Sequence, residues 1–138
     1  MKKLYFLLLL FVSLNILAQK PIQEYSFINI KEGVPKVGVS SIVQDHKGFI
    51  WIATTGTGVY KFNGIDFTPY KFDFKDSNSL SNNLTQCAFV DSKNRLWFGT
   101  EDGLNLYDRD LDRFNKVVLN KESNLKDNIF AIEEDDLG

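Results

Sequence analysis

Cysteine and histidine are almost absent: the 138-residue chain has one of each, Cys87 and His46. A single thiol cannot form an internal disulfide. Cys87 lies in the strand-like stretch Thr85-Gln86-Cys87-Ala88-Phe89-Val90, which suits a small buried residue better than a nucleophile. His46 follows Asp45 in a turn-forming sequence, where adjacent side chains diverge, and no Ser, Cys or Lys forms a nucleophile motif with it. Excess positive charge is lacking as well. Sixteen Lys and Arg stand against eighteen Asp and Glu, a net charge of −2 that becomes −4 without Lys2 and Lys3. Such a balance gives no attraction for nucleic acid or an anionic membrane.

Long apolar runs are missing beyond residue 18. The single run, Leu4 to Leu17, follows Lys2 and Lys3 and ends at Ala18. This is the pattern of a secretory signal peptide over residues 1–18. It is shorter than the roughly 20 apolar residues of a membrane span, and the remaining residues contain no second span. The chain is therefore expected to be exported.

What is abundant is aromatic residues, 14% of the chain, and they recur in a pattern. Val43-Gln44-Asp45-His46-Lys47-Gly48-Phe49-Ile50-Trp51-Ile52-Ala53-Thr54 returns as Phe89-Val90-Asp91-Ser92-Lys93-Asn94-Arg95-Leu96-Trp97-Phe98-Gly99-Thr100. A third copy opens at Ile132 and runs through Asp135 to Gly138. Asp45 and Asp91 are 46 positions apart, Asp91 and Asp135 are 44. A strand-rich repeat of this length indicates a propeller or array.

Each repeat divides into four strands. The first predicts strands at 39–44, 49–54, 59–62 and 65–72, with turns at Asp45–Gly48, Thr55–Gly58 and the hairpin pair Asn63-Gly64. Pro69 argues for an edge position in the fourth strand. The second predicts strands at 84–90, 95–100, 104–107 and 113–119. The second strands are apolar on both faces, so something packs against each face, as neighbouring blades do in a ring. The fold class is all-β: four-stranded antiparallel propeller blades, two and a fraction in number. The divisions are a signal peptide (1–18), an N-terminal segment (19–38) whose strand 25–30 completes the last blade of a full ring, blade 1 (39–74), a link (75–83), blade 2 (84–119), a second link (120–128) and the start of blade 3 (129–138). Leu80 and Leu125 align as apolar anchors of the links. Asn83 and Asn128 align as caps on the first strand of the next blade.

The block Asp-x-x-Gly-x-x-Trp-x-x-Thr, followed by Gly-Leu/Val-x-x-Tyr/Phe, resembles the two-component regulator propeller repeat. The resemblance rests on residues 42–62, 88–107 and the link Ser79-Leu80-Ser81-Asn82-Asn83. It departs at Ala53 and Asn94, where that family favours Gly; Ala is small and Asn tolerates a left-handed φ. The resemblance implies a periplasmic sensor region of a hybrid histidine kinase of the Bacteroidetes type, with an oligosaccharide as ligand. It implies further blades and downstream signalling domains, with dimerisation, in the full-length protein. No phospho-accepting His motif and no nucleotide-binding Gly-rich box occurs in the chain.

No catalytic, cofactor-binding or metal-binding residue is expected. The repeat residues Asp45, Gly48, Trp51, Thr54, Gly58, Asp91, Trp97, Gly99, Thr100, Gly103, Asp135 and Gly138 read as structural. One Asp per blade is spread around a ring rather than gathered at a metal. Asp108-Arg109-Asp110-Leu111-Asp112 lacks the glycine and distal glutamate of a calcium loop. Trp51 and Trp97 could stack on sugar rings, but their matching central-strand positions favour packing. The exposed turn residues Thr55, Thr57, Glu101 and Asp102 are the better ligand contacts. The leading reading is a non-enzymatic sensor. The alternatives are an exported propeller enzyme acting on polysaccharide, or a truncated product without independent function. Two blades and a fraction fall short of the roughly 4–8 of a closed ring, so open blade faces are expected to make the chain associate.

Overall fold

In the computed structural model the described residues are 33, 36–119 and 127–135, all within the unit Lys31–Gly138. The signal peptide, the strand at 25–30, Leu125 and Gly138 lie outside them. Eight strands form two four-stranded antiparallel sheets, each in simple sequence order. The first holds β1 (Val39–Gln44), β2 (Ile50–Thr54), β3 (Val59–Phe62) and β4 (Phe67–Tyr70). The second holds β5 (Thr85–Val90), β6 (Leu96–Thr100), β7 (Gly103–Asp108) and β8 (Arg113–Val117). These are the two four-stranded blades that the repeat predicts.

The strand ends differ in instructive ways. β4 starts at Phe67 rather than Ile65, because Asn63-Gly64 opens a four-residue loop rather than a two-residue turn, and it ends at Tyr70 rather than Phe72. Phe62 pairs with Phe67, and Asn63 Oδ1 accepts the Ile65 and Asp66 N–H groups at 2.8 and 2.7 Å. Pro69 sits on this outer edge strand, opposite Tyr60. In the second sheet β7 begins one residue earlier than expected and ends one later. Both β1 and β5 carry a register shift near their start, at Val39/Ser41 and Thr85/Cys87. Asn94 takes φ 60°, in the left-handed region that an Asn accepts.

The core lies between the two sheets. Trp51 and Val59 come from one side, Leu96, Phe98, Tyr107 and Phe114 from the other, and Leu80 plugs the link end. The Trp51 ring lies 5.5 Å from Tyr70, 5.6 Å from Phe98 and 4.6 Å from Tyr107. Spacings of this kind let ring edges meet ring faces. Tyr107 pairs with Leu96 and Phe114, so the period-two alternation of three strands delivers one apolar face to the first sheet. Residues 127–135 form no strand, although a third first strand is expected there. They lie along the far side of the second sheet, with Ile129 N–H donating to Thr100 O at 3.0 Å. No antiparallel partner accompanies them among the described residues.

Candidate functional site

The repeated Asp and Trp meet through the turn between the first two strands of each sheet. Asp45 Oδ1 accepts the N–H groups of Lys47 and Phe49 at 2.9 and 3.1 Å. This is the local self-capping that a turn Asp provides. Its other oxygen accepts the Trp51 indole N–H at 2.9 Å and Arg109 Nη1 at 2.7 Å. Arg109 belongs to the second sheet, so the contact crosses the seam between blades. The Asp45 side chain is fully buried. Burial by itself raises its pKa, but the Trp51 and Arg109 hydrogen bonds, the Arg109 charge and the Lys47 amide outweigh it and hold the carboxyl below its ordinary value.

Asp91 repeats the arrangement with one change. Its Oδ1 takes the Lys93 and Arg95 N–H groups at 3.0 and 2.7 Å, and Oδ2 takes the Trp97 indole at 2.8 Å. The cation is Arg95 of the same blade, with Nε at 2.5 Å. Here too burial pushes upward, and the Trp97 and Arg95 contacts prevail to lower the pKa. The sequence shows Asp45 and Asp91 as turn residues. That each also holds a tryptophan and an arginine was missed; the Asp-to-Trp spacing of six, shared by both repeats, was the available signal.

The threonines work at the opposite end. Thr54 Oγ1 donates to Gly58 O at 2.7 Å and accepts the Thr57 N–H at 3.2 Å. Thr100 Oγ1 donates to Gly103 O at 3.0 Å and accepts the Asp102 N–H at 3.2 Å. Gly58 has φ 83°, and a Cβ there would lie 2.1 Å from Tyr70 O, so the repeat needs glycine at this point. Thr55 and Glu101 are exposed, whereas Thr57 and Asp102 are half-buried. Both turns stand beside a link: Thr55 bridges to Leu84, and Glu101 N–H donates to Leu84 O at 3.1 Å. Gly48 has φ 86° and closes its turn by donating to Asp45 O at 2.9 Å.

The links are tied more firmly than the sequence suggests. Asn105, fully buried in β7, donates to Ser81 Oγ at 2.8 Å and accepts the Ser81 N–H at 3.0 Å. Ser81 Oγ lies 2.6 Å from Thr100 Oγ1. The cap expected from Asn83 belongs to Asn82, whose Oδ1 accepts the Leu84 N–H at 2.8 Å. Asn83 reaches backward, accepting the Phe72 N–H at 2.8 Å with its side chain and the Gly58 N–H at 2.8 Å with its carbonyl. It fastens the end of the preceding blade because the link doubles back beside that blade's outer strand.

A second seam cluster joins Tyr70 of the first sheet to Tyr107 and Asp112 of the second. Both hydroxyls donate to Asp112 Oδ1, Tyr70 at 2.6 Å. Burial and the Asp112 contact push Tyr70 up to about 12 and Tyr107 higher still, while Asp112 is lowered by the two hydroxyls and Lys61 against the effect of its own burial. Asp108 Oδ1 accepts the Asp110 and Leu111 N–H groups, each at 3.1 Å, so it is a turn cap. Cys87 is half-buried against Ile129, with its pKa raised by burial.

A cleft of about 470 Å³ lies on the far side of the second sheet, between Phe89, Trp97 and Leu104 and the segment Ile132–Asp135. Trp97 is half-buried there, under the Arg95 guanidinium at 5.0 Å, in contrast to fully buried Trp51. The positions of Phe89, Trp97 and Leu104 match those of Val43, Trp51 and Val59 on the first sheet, which the second blade covers.

The chain has similarities to known proteins at all three levels. The two component regulator propeller model matches residues 33–56 and 79–102. A stretch of 65 residues is 32% identical to a protein named histidine kinase P4 from Formosa agariphila, covering 46% of this chain and 5% of that protein. The fold matches a crystal structure described as the extracellular domain of a hybrid two component system from B. thetaiotaomicron, with a TM-score of 0.59 and 31% identity. That match covers 70% of this chain and 14% of the other. The chain thus spans only a small part of either relative. The blade geometry and the Asp–Trp turns agree with the propeller-model match, which places the similarity to the two-component regulator propeller repeat in two successive blades.

Proposed function

We propose that the chain is part of a non-enzymatic sensor propeller, acting in the periplasm as the ligand-recognition region of a two-component receptor. The observation that carries this reading is the fold match to the extracellular domain of a hybrid two component system, together with the match of both repeats to the two component regulator propeller model. The chemistry of the repeat supports the non-enzymatic part. Asp45 and Asp91 each accept four hydrogen bonds. That fills the roughly four lone-pair sites of a carboxylate, so neither is available as a base or ligand. The proposed ligand is an oligosaccharide, and the proposed contacts are the link-end turn residues Thr55, Thr57, Glu101 and Asp102. Turns of this kind are held by the sheet at the surface, with Thr55 and Glu101 exposed and Thr57 and Asp102 half-buried beside them.

The reading is tested in the organism that carries the gene. The gene is deleted, the strain is grown on a panel of polysaccharides, and transcripts are compared with the parent. Loss of an induced gene set on one polysaccharide is the expected result. Identical transcript profiles on every polysaccharide would remove the sensor reading. Export is tested separately by fusing the chain to alkaline phosphatase without its own leader; an inactive, full-length fusion would remove the periplasmic assignment.

A further inference from the structure

The two seams solve one electrostatic problem differently. In both repeats a buried carboxylate needs a cation, since an uncompensated buried charge is costly. Asp45 draws it from the next blade, through Arg109 at 2.7 Å. Asp91 draws it from its own second strand, through Arg95 at 2.5 Å. Phe49 occupies the position matching Arg95, so Asp45 has no cation on its own second strand. Each Asp therefore meets one guanidinium.

We propose that Arg95 and Arg109 are alternative partners of the repeat's buried aspartate, and that the choice between them determines which blade can follow which. The seam at Asp45 requires a following blade with an arginine in its turn between third and fourth strands. The cleft at Asp91 receives a further blade that lacks one. The occupant of that cleft is the remainder of a repeat continuing from residues 127–135. This segment is already seated there: Ile129 bonds Thr100, and Glu134 accepts the Ser92 N–H and hydroxyl at 2.7 and 2.8 Å. The cleft also continues the geometry of the established seam, with Trp97 in the place of Trp51. A second arginine entering beside Arg95 would meet a like charge without a free oxygen to accept it. Specificity of this kind comes from the repulsive element as much as from the attractive one.

The test uses the full chain and amide hydrogen exchange at Lys47 and Phe49, whose N–H groups bond Asp45 Oδ1. R109A is expected to raise exchange there by about a hundredfold, because Asp45 stays buried without its cation. F49R alone is expected to raise it as well, since a second guanidinium then crowds Arg109. The double variant F49R/R109A is expected to recover most of the protection, reproducing the Asp91 arrangement in the first blade. F49M/R109A, apolar and uncharged at the same position, is expected not to recover it. A simple packing role for Arg109 cannot give this pattern of rescue. If R109A yields no folded protein, recovery of folded protein in F49R/R109A alone supports the proposal in the same way. The proposal is overturned if the double variant is no better protected than R109A, if F49M rescues equally, or if F49R alone leaves exchange unchanged.

Discussion

Trp51 and Trp97 offer a controlled comparison, because they share residue type, strand position and hydrogen bond. Each indole N–H donates to the repeat's aspartate, at 2.9 and 2.8 Å. They differ in what surrounds the ring. Trp51 has no exposed surface and three aromatic neighbours within 5.6 Å. Trp97 is half-buried and lines the cleft. Replacing a core tryptophan with alanine costs about 3–5 kcal/mol, and Trp51 belongs at the upper end because its aromatic pairs each add about 0.5–1.5 kcal/mol. At Trp97 only part of the ring leaves a packed environment, and Arg95 still serves Asp91, so about 1–2 kcal/mol is expected. The difference is roughly 2–4 kcal/mol. With a urea m-value of about 1 kcal/mol/M for a small domain, the unfolding midpoint of W51A should lie at least about 2 M below that of W97A. Far-UV circular dichroism in urea at low protein concentration measures both, and W51F substitutes if W51A does not fold. Equal midpoints for W51A and W97A would refute the claim that the second blade makes Trp51 a core residue and leaves Trp97 at an open seam.

Two further outcomes follow from the same contacts. Asp45, Asp91 and Asp112 are all held below the ordinary 3.8, so the stability they contribute is present above that value and is lost as the pH falls through their lowered values. Tyr70, raised from 10.0 to about 12, contributes stability below pH 10 that is lost as the pH rises towards 12. The urea midpoint should therefore be level between these limits and fall on both sides, and a midpoint that rises on acidification below pH 4 would contradict the carboxylate geometry. At Gly99 a Cβ would lie 2.6 Å from both Cys87 Sγ and Ile129 Cγ2. G99A should therefore detach residues 127–135, seen as faster amide exchange in that segment and faster reaction of Cys87 with a thiol reagent. The reciprocal A53G should cost only about 0.5–1 kcal/mol; unchanged exchange in G99A would mean that the segment is held elsewhere.

The blade architecture was legible because its determinants are local. Unbroken apolar runs at 49–53 and 96–98 mark strands apolar on both faces, and turn chemistry at Asp45–Gly48 and Asp91–Asn94 separates them from their neighbours. The loop at Asn63-Gly64 was less legible, since whether the strands close after two residues or four depends on the Phe62–Phe67 pairing, whose rings stack at 4.5 Å. The reversal of roles between Asn82 and Asn83 had the same origin: two adjacent amides look equivalent until the link's path fixes which strand end each one meets.

The repeat spacing, the turns at Asp45–Gly48 and Asp91–Asn94 and the turn glycine at position 58 were determined by the sequence alone, because each acts within a few residues of itself or through a periodic pattern. Only the tertiary structure decided that Arg109, 64 residues from Asp45, is that carboxylate's partner, whereas Asp91 uses an arginine four residues away. It also decided that one tryptophan is sealed and its twin left at a cleft. Both outcomes depend on which blade stands against which face. Long-range charge pairing and burial arise from that stacking, and the sequence pattern of either repeat by itself does not contain it.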